Sequence, residues 1–441
     1  MTSGSARLLS IRFVAVLLLL AAGGRSAAAL PPDAPAGLDF APTDRILVLA
    51  PHPDDEVLGC GGVLQRAVAR GIPAEVAFLT YGDSNAWSFL TYRLHPVVEP
   101  SAARKMGEVR RQEALSAAAV LGVGAERLTF LGYPDRGTLD LWTSRWGAAR
   151  PPGRGRLTGA RAVPYPTALR PGAPYRGEEV LADLEGLLAR FRPTQVFVSH
   201  PADHHPDHAA LYLFTRVALW DLAGTVKATL HPYLVHFPGW PAPGYRPAEP
   251  ASPPLALASA EAWQSWGLTP GEVAVKRQAL AAHRSQWRSG ERHLLPFARA
   301  TEITGEPPED EPHLPVRRVG DSIEIALALE NVTPKAVRGS LFVFGYRADR
   351  PFAGMPKLEL RLGIGRSGEI EGCKVLDQGR ALPGRPVTVE RRGDRLILVI
   401  PKALLGGPDR LLVGASSWEK RSLLDPSPWR VVDLAPDDAR R

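Results

Sequence analysis

Two stretches of the chain concentrate residues able to bind a metal or move a proton. The first is His52-Pro53-Asp54-Asp55-Glu56, directly after the apolar run Ile46-Leu47-Val48-Leu49-Ala50. The second is His200-Pro201-Ala202-Asp203-His204-His205-Pro206-Asp207-His208, which holds four of the chain's eleven histidines. Zinc in hydrolases takes three protein ligands from His, Asp and Glu and leaves a fourth position open. His52 and Asp55 at one strand end offer two ligands, and His208 from the second stretch offers the third. Asp54, beside a ligand, is free to point into the adjoining space and take a proton from water as a general base. His205, in protonated form, would stabilise a developing oxyanion and then protonate a leaving amine. Asp207 would hold one of the imidazoles in its working tautomer. Cys60 and Cys373 are far apart and fit neither a zinc ribbon nor a disulfide framework, so a Zn2+ site here depends on His and carboxylate.

Each stretch also has a plainer use. An Asp before a helix commonly caps it, and a His-rich run can be a solvated tract. Both uses lose ground jointly, because each stretch follows an apolar strand.

The elements that must position these residues alternate. Strands are expected at Ile46–Ala50, Ala74–Thr80, Leu128–Leu131 and Gln195–Ser199, with helices at Val57–Arg70, Glu108–Leu121 and Glu178–Phe191. That alternation implies right-handed crossovers and an α/β fold, a Rossmann-like, mainly parallel sheet with helices on both faces. The C-terminal ends of its strands share one rim, which brings the two stretches side by side. Between Leu141 and Gly177 lies a Gly-, Pro- and Arg-rich segment with Trp142, Trp146, Tyr165 and Tyr175. Its length suggests a substrate loop whose aromatics meet a sugar or acyl face, or an insertion anchored by them. A second Pro-rich loop spans Pro238–Pro254, and Gly271–Gln286 reads as a further helix.

Past Glu306 the pattern changes. Residues 305–320 have linker composition, and short strands follow at Ile323–Leu329, Leu341–Phe344, Leu358–Leu362, Leu396–Ile400 and Leu411–Gly414. This predicts a C-terminal all-β, sandwich-like domain over 321–441. The organisation is then residues 1–29, a catalytic domain over 30–304, a linker and the β domain. Residues 1–29 carry Arg7, Arg12, the apolar run Phe13–Ala22 and Ser26-Ala27-Ala28-Ala29, the form of a secretory signal peptide. The apolar run is shorter than the roughly 20 residues of a membrane span, so an exported protein without a stable span after cleavage is expected. The net charge of +7 is spread along the chain and gives no nucleic-acid footprint. Asn331-Val332-Thr333 fits a glycosylation acceptor, a triplet common by chance.

His52-Pro-Asp-Asp-Glu56 with Gly59-Cys-Gly-Gly62, and His205-Pro-Asp-His208, resemble the paired signatures of the LmbE-like or PIG-L family of zinc-dependent de-N-acetylases. Thr80-Tyr-Gly-Asp83, Arg110-x-x-Glu113 and Leu131-Gly-Tyr-Pro-Asp135 extend the likeness over roughly Arg45–Leu211. The resemblance implies zinc on His52, Asp55 and His208, Asp54 as base and His205 as the oxyanion-stabilising acid. It also implies removal of an N-acyl group, most simply acetyl, from an amino-sugar glycan or glycolipid. An amidase on a non-sugar conjugate and a glycan-binding protein with an inactive hydrolase domain are the alternatives. His236, in Leu234-Val-His236, is either a further site residue or a packed histidine.

Overall fold

The computed structural model describes residues 40–85, 99–148, 150–259, 262–307, 314–328, 337–365, 369–419 and 422–434. Residues 1–29, Asn331-Val332-Thr333 and residues 308–313 of the linker-like segment lie outside these. The first part of the chain runs β1 (Ile46–Ala50), α1 (Asp55–Ala69), β2 (Ala74–Thr80), α2 (Pro100–Val120), β3 (Leu128–Tyr133), α3 (Thr138–Ser144), α4 (Gly177–Phe191) and β4 (Gln195–Ser199). It continues with α5 (Pro206–Asp221), β5 (Thr229–Tyr233), β6 (Ala262–Gly267), α6 (Pro270–Ala282), α7 (Arg284–Leu294) and β7 (Thr301–Glu306).

Seven strands form one sheet in the order β3-β2-β1-β4-β5-β7-β6. β1 pairs in parallel with β2 and β4, and β4 with β5, whereas β7 is antiparallel to β5 and β6. Every residue of β1 is buried, as a parallel strand covered on both faces requires. Successive strands run outward to β3 on one side of β1 and to β5 on the other. The switch point therefore lies between β1 and β4, where open α/β sheets bind ligands beyond their strand ends. His52–Glu56 follows β1 and His200–His208 follows β4. β5, β6 and β7 add to the four strands expected from sequence.

Helix α1 is broken at Cys60, whose φ of −136° and ψ of 16° are not helical. The break exposes N–H groups that a continuous helix would use internally. Glu302 on β7 accepts from Gly62 N at 2.7 Å and Val63 N at 3.1 Å. Lys276 on α6 donates to the Leu58 carbonyl at 2.9 Å and to Glu302 at 2.6 Å. A buried ion pair thus satisfies both sides of the break. The helix lies so close to its neighbours that a Cβ on Gly59 would sit 2.3 Å from the Tyr233 ring.

The C-terminal strands are β8 (Val316–Val319), β9 (Ser322–Ala328), β10 (Val337–Tyr346), β11 (Lys357–Ile364), β12 (Ile370–Asp377), β13 (Arg380–Ala381), β14 (Thr388–Arg392), β15 (Arg395–Pro401), β16 (Arg410–Glu419) and β17 (Ser422–Asp433). They form a six-stranded sheet, β13-β12-β11-β10-β16-β17, and a four-stranded sheet, β14-β15-β9-β8. Alternate residues such as Leu341, Val343, Leu358, Leu396 and Leu398 fill a core of their own, the expected all-β arrangement.

The other face of β10 carries Phe342, Phe344 and Tyr346 into the core of the α/β part. There Trp142 meets Phe344 at 5.6 Å, Phe352 at 5.4 Å and Trp429 at 5.9 Å between ring centroids. Trp142, Trp146, Tyr165 and Tyr175 are all at most 2% exposed, so of the two readings of 141–177 their burial supports an insertion anchored by its aromatics. Covering these rings is worth more to the fold than presenting them: burial of one such side chain contributes about 1.5–3 kcal/mol.

Candidate metal centre

The Asp55 carboxylate is the meeting point of the two stretches. Its Oδ2 lies 3.0 Å from His52 Nδ1 and 3.1 Å from His208 Nε2. The far nitrogen of each imidazole faces a second buried carboxylate. His52 Nε2 is 3.1 Å from Asp207 Oδ2 and 3.5 Å from Asp135 Oδ1, and His208 Nδ1 is 3.0 Å from Asp203 Oδ2. Metal-binding histidines are held in this way, with the outer nitrogen on a carboxylate and the inner one on the ion. Among the described residues, His208 Nε2 is buried without a well-formed hydrogen bond, as an inner donor atom facing a cation position would be. The donor set of two imidazoles and one carboxylate suits a first-row divalent ion such as zinc, and the residues present fit one.

The charge balance points the same way. Burial opposes protonation of His52 and His208. Hydrogen bonds donated by its ring nitrogens to Asp135, Asp207 and Asp55 nonetheless raise His52 well above its ordinary range. Asp203 and Asp55 raise His208 to about 9. For Asp55, burial is outweighed by the two imidazoles, which hold its carboxyl well below the usual range.

Asp54 occupies the N-cap position of α1, yet its side chain makes no capping bond, so the helix-cap use is set aside. Its φ of 133° lies in a region that side-chain-bearing residues rarely adopt. Such a backbone costs on the order of 1–3 kcal/mol and persists only when its surroundings enforce it. Arg110 on α2 donates to the Pro53 carbonyl at 2.7 Å and to Asp54 Oδ1 at 3.2 Å. Asp54 N donates to Glu56 Oε2 at 2.8 Å. Burial lifts the Asp54 carboxyl to about 6, with Arg110 opposing the shift.

His205 caps α5, its Nδ1 accepting from Asp207 N at 3.3 Å. Burial, reinforced by His52, pulls its pKa down to about 3. Burial thus favours the neutral imidazole, and with Nδ1 accepting from Asp207 N, Nε2 is the nitrogen left to donate. Asp207 is fully buried and accepts from Arg136 N, Thr138 N and Thr138 Oγ1 as well as facing His52. It positions His52 and presents no free oxygen to a reactant. His236, on the loop after β5, is exposed, and its ring lies 4.8 Å from that of His208. With Asp55 and His208 it offers atoms that lie within 4.8 Å of one another, close enough to hold an ion together.

Two carboxylates were not singled out by the sequence. Asp203 accepts from His205 N, Val235 N and His236 N and so ties the β4 and β5 loops together around His208. Asp135 comes from the end of β3. Only the clustering of Asp203 with the histidines could have marked it in advance.

Residues 47–219 match the family model PIG-L: GlcNAc-PI de-N-acetylase. The chain is 34% identical over 179 residues to 1D-myo-inositol 2-acetamido-2-deoxy-alpha-D-glucopyranoside deacetylase 1 of Saccharopolyspora erythraea, covering 40% of this chain and 53% of that protein. It is 38% identical over 93 residues to 2'-N-acetylparomamine deacetylase of Streptomyces fradiae, covering 21% and 30%. The chain spans about half the length of the first of these relatives and less of the second. Among solved structures, the N,N'-diacetylchitobiose deacetylase of Pyrococcus horikoshii is 19% identical, with a TM-score of 0.36 over 60% of this chain and 84% of that one.

Proposed function

We propose, from the premise that residues 47–219 are a domain of the PIG-L family of de-N-acetylases, that this protein is a zinc-dependent hydrolase removing an N-acetyl group from an amino sugar of a glycan or glycolipid outside the cytoplasm. The observation that carries the reading is the convergence of His52 Nδ1 and His208 Nε2 on Asp55 Oδ2, with Asp54 alongside. The relatives whose names state acetylated amino-sugar substrates support the substrate class. The signal-like residues 1–29 support the location.

His52, Asp55 and His208 would hold the ion, and a bound zinc supplies Lewis-acid polarisation of an amide carbonyl and of water. The residues of the chain do the rest. Asp54, held by Arg110, takes a proton from the attacking water. His205 donates from Nε2 to the oxygen on which charge develops, as a neutral hydrogen-bond donor. The proton held by Asp54 then passes to the departing amine nitrogen. Asp207 and Asp203 keep the two ligand imidazoles in their tautomers throughout.

The test is turnover of N-acetylglucosamine-containing substrates by the mature protein, with mass-spectrometric detection of acetate and free amine. Chelation should abolish turnover and zinc should restore it. Asp54→Ala should lower kcat by about 10²–10⁴-fold with zinc content retained. Turnover indifferent to chelation sinks the metal reading, and acyl release only from non-sugar amides sinks the substrate class. An intact mass that includes residues 1–29 in the exported fraction would overturn the processing.

A further inference from the structure

We propose that His283 is a positioning residue for Asp54, acting through Glu56. The inference rests on the reading of Asp54 as proton acceptor and extends it to a part of the chain beyond residue 219, where the family match ends. The unusual backbone of Asp54 is held from two sides. Arg110 fixes the Pro53 carbonyl and the Asp54 side chain, and Glu56 Oε2 fixes the Asp54 N–H. A glutamate one position into a helix has rotamers that would release that N–H. Here its other oxygen, Oε1, is tied to His283 Nε2 at 3.0 Å, and both side chains are at most 1% exposed. His283 Nδ1 makes no hydrogen bond, so the ring engages polar groups only through Nε2.

His283 is itself placed by a break between α6 and α7. Its carbonyl accepts from Gln286 N at 3.0 Å and Trp287 N at 2.7 Å, which closes a turn. Two residues on, Ser285 donates through N and Oγ to Glu113 at 2.8 and 2.6 Å. Glu113 is three residues from Arg110 on α2. One helix therefore grips Asp54 directly with Arg110 and, through Ser285, His283 and Glu56, also secures its backbone. A packed core pair would need no such convergence on one strained residue. Displacement of a reacting group by about 1 Å costs on the order of 10²-fold in rate, so this series of contacts has a kinetic signature.

The experiment compares His283→Asn with His283→Gln in the full-length zinc-loaded protein. Both are polar and smaller than the ring, but only Gln carries an amide nitrogen far enough out to replace Nε2. His283→Asn should lower kcat on the order of 10²-fold, with KM and zinc content within about twofold, and His283→Gln should recover about tenfold or more of that loss. In the Asp54→Ala background, His283→Asn should leave the residual rate unchanged, since its effect runs through Asp54. Equal kcat for Asn and Gln, loss of zinc in both, or an additive effect on Asp54→Ala would overturn the proposal. If Asp54→Ala alone retains full kcat, the reading of Asp54 fails instead, and the two failures are separate.

Discussion

Asp203 shows what a single buried carboxylate contributes to the site. Its Oδ2 accepts from two backbone N–H groups of the β5 loop and lies 3.0 Å from His208 Nδ1. Asp203→Asn keeps the shape but places an amide against an imidazole that must stay oriented toward Asp55. Metal affinity should fall about 10–100-fold, measured by competition with a chromogenic chelator. Unchanged affinity would show that packing alone orients His208. The sequence made the candidate ligands legible because His52, Asp55 and His208 sit in compact, unusual runs. It did not reveal the roles of Asp135 and Asp203, whose partners lie far along the chain, or the burial that acts on the ionisation of His205. Composition carries no burial.

At the scale of elements, parallel strands were readable because their buried runs are continuous and apolar. β5, Thr-Leu-His-Pro-Tyr, and β7, Thr-Glu-Ile-Thr-Gly-Glu, have no such run, and they pair where the sheet turns antiparallel. The helix expected over Gly271–Gln286 ends at Ala282, because the chain breaks to present His283. α1 depends on glycine for a reason of space. Tyr233 is pinned by its hydroxyl to the Leu49 carbonyl at 2.9 Å and cannot retreat from a side chain at Gly59. Gly59→Ala should destabilise the protein by about 1–3 kcal/mol in denaturant unfolding. Gly186→Ala on α4, where a Cβ meets nothing within 4 Å, should be neutral or mildly stabilising. Equal stability of the two variants would mean that the Tyr233 contact relaxes at no cost.

At the scale of the molecule, the β sheets share a core with the α/β part, and Lys357 lies inside that junction. Its ammonium donates to the Phe352 and Met355 carbonyls and sits 4.3 Å above the Trp146 ring. Burial nevertheless pushes its pKa down to about 7, against the pull of Asp377 and Glu178. An unfolded lysine titrates near about 10.4. Between these values the native chain binds fewer protons than the unfolded one, so this group adds stability as pH rises and adds none below about 7. The unfolding free energy of wild type minus that of Lys357→Met should therefore grow from pH 7 to pH 9. A constant difference would mean that the ammonium keeps its proton in the fold. Sequence composition marked the change from α/β to all-β, but not this junction, since aromatic residues spread over α3, the turn after β10 and the two strands β10 and β17 give no periodic signal.

The cluster around Trp142 also has a meaning for synthesis. Trp142 leaves the ribosome long before Phe344, Phe352 and Trp429, the rings that complete its surroundings. Until those residues are made, Trp142 and Trp146 have Phe214 of the α/β part beside them but not the rings that close their surroundings in the finished fold. Completion of this core thus requires the far end of the chain, although the candidate site is housed near its start.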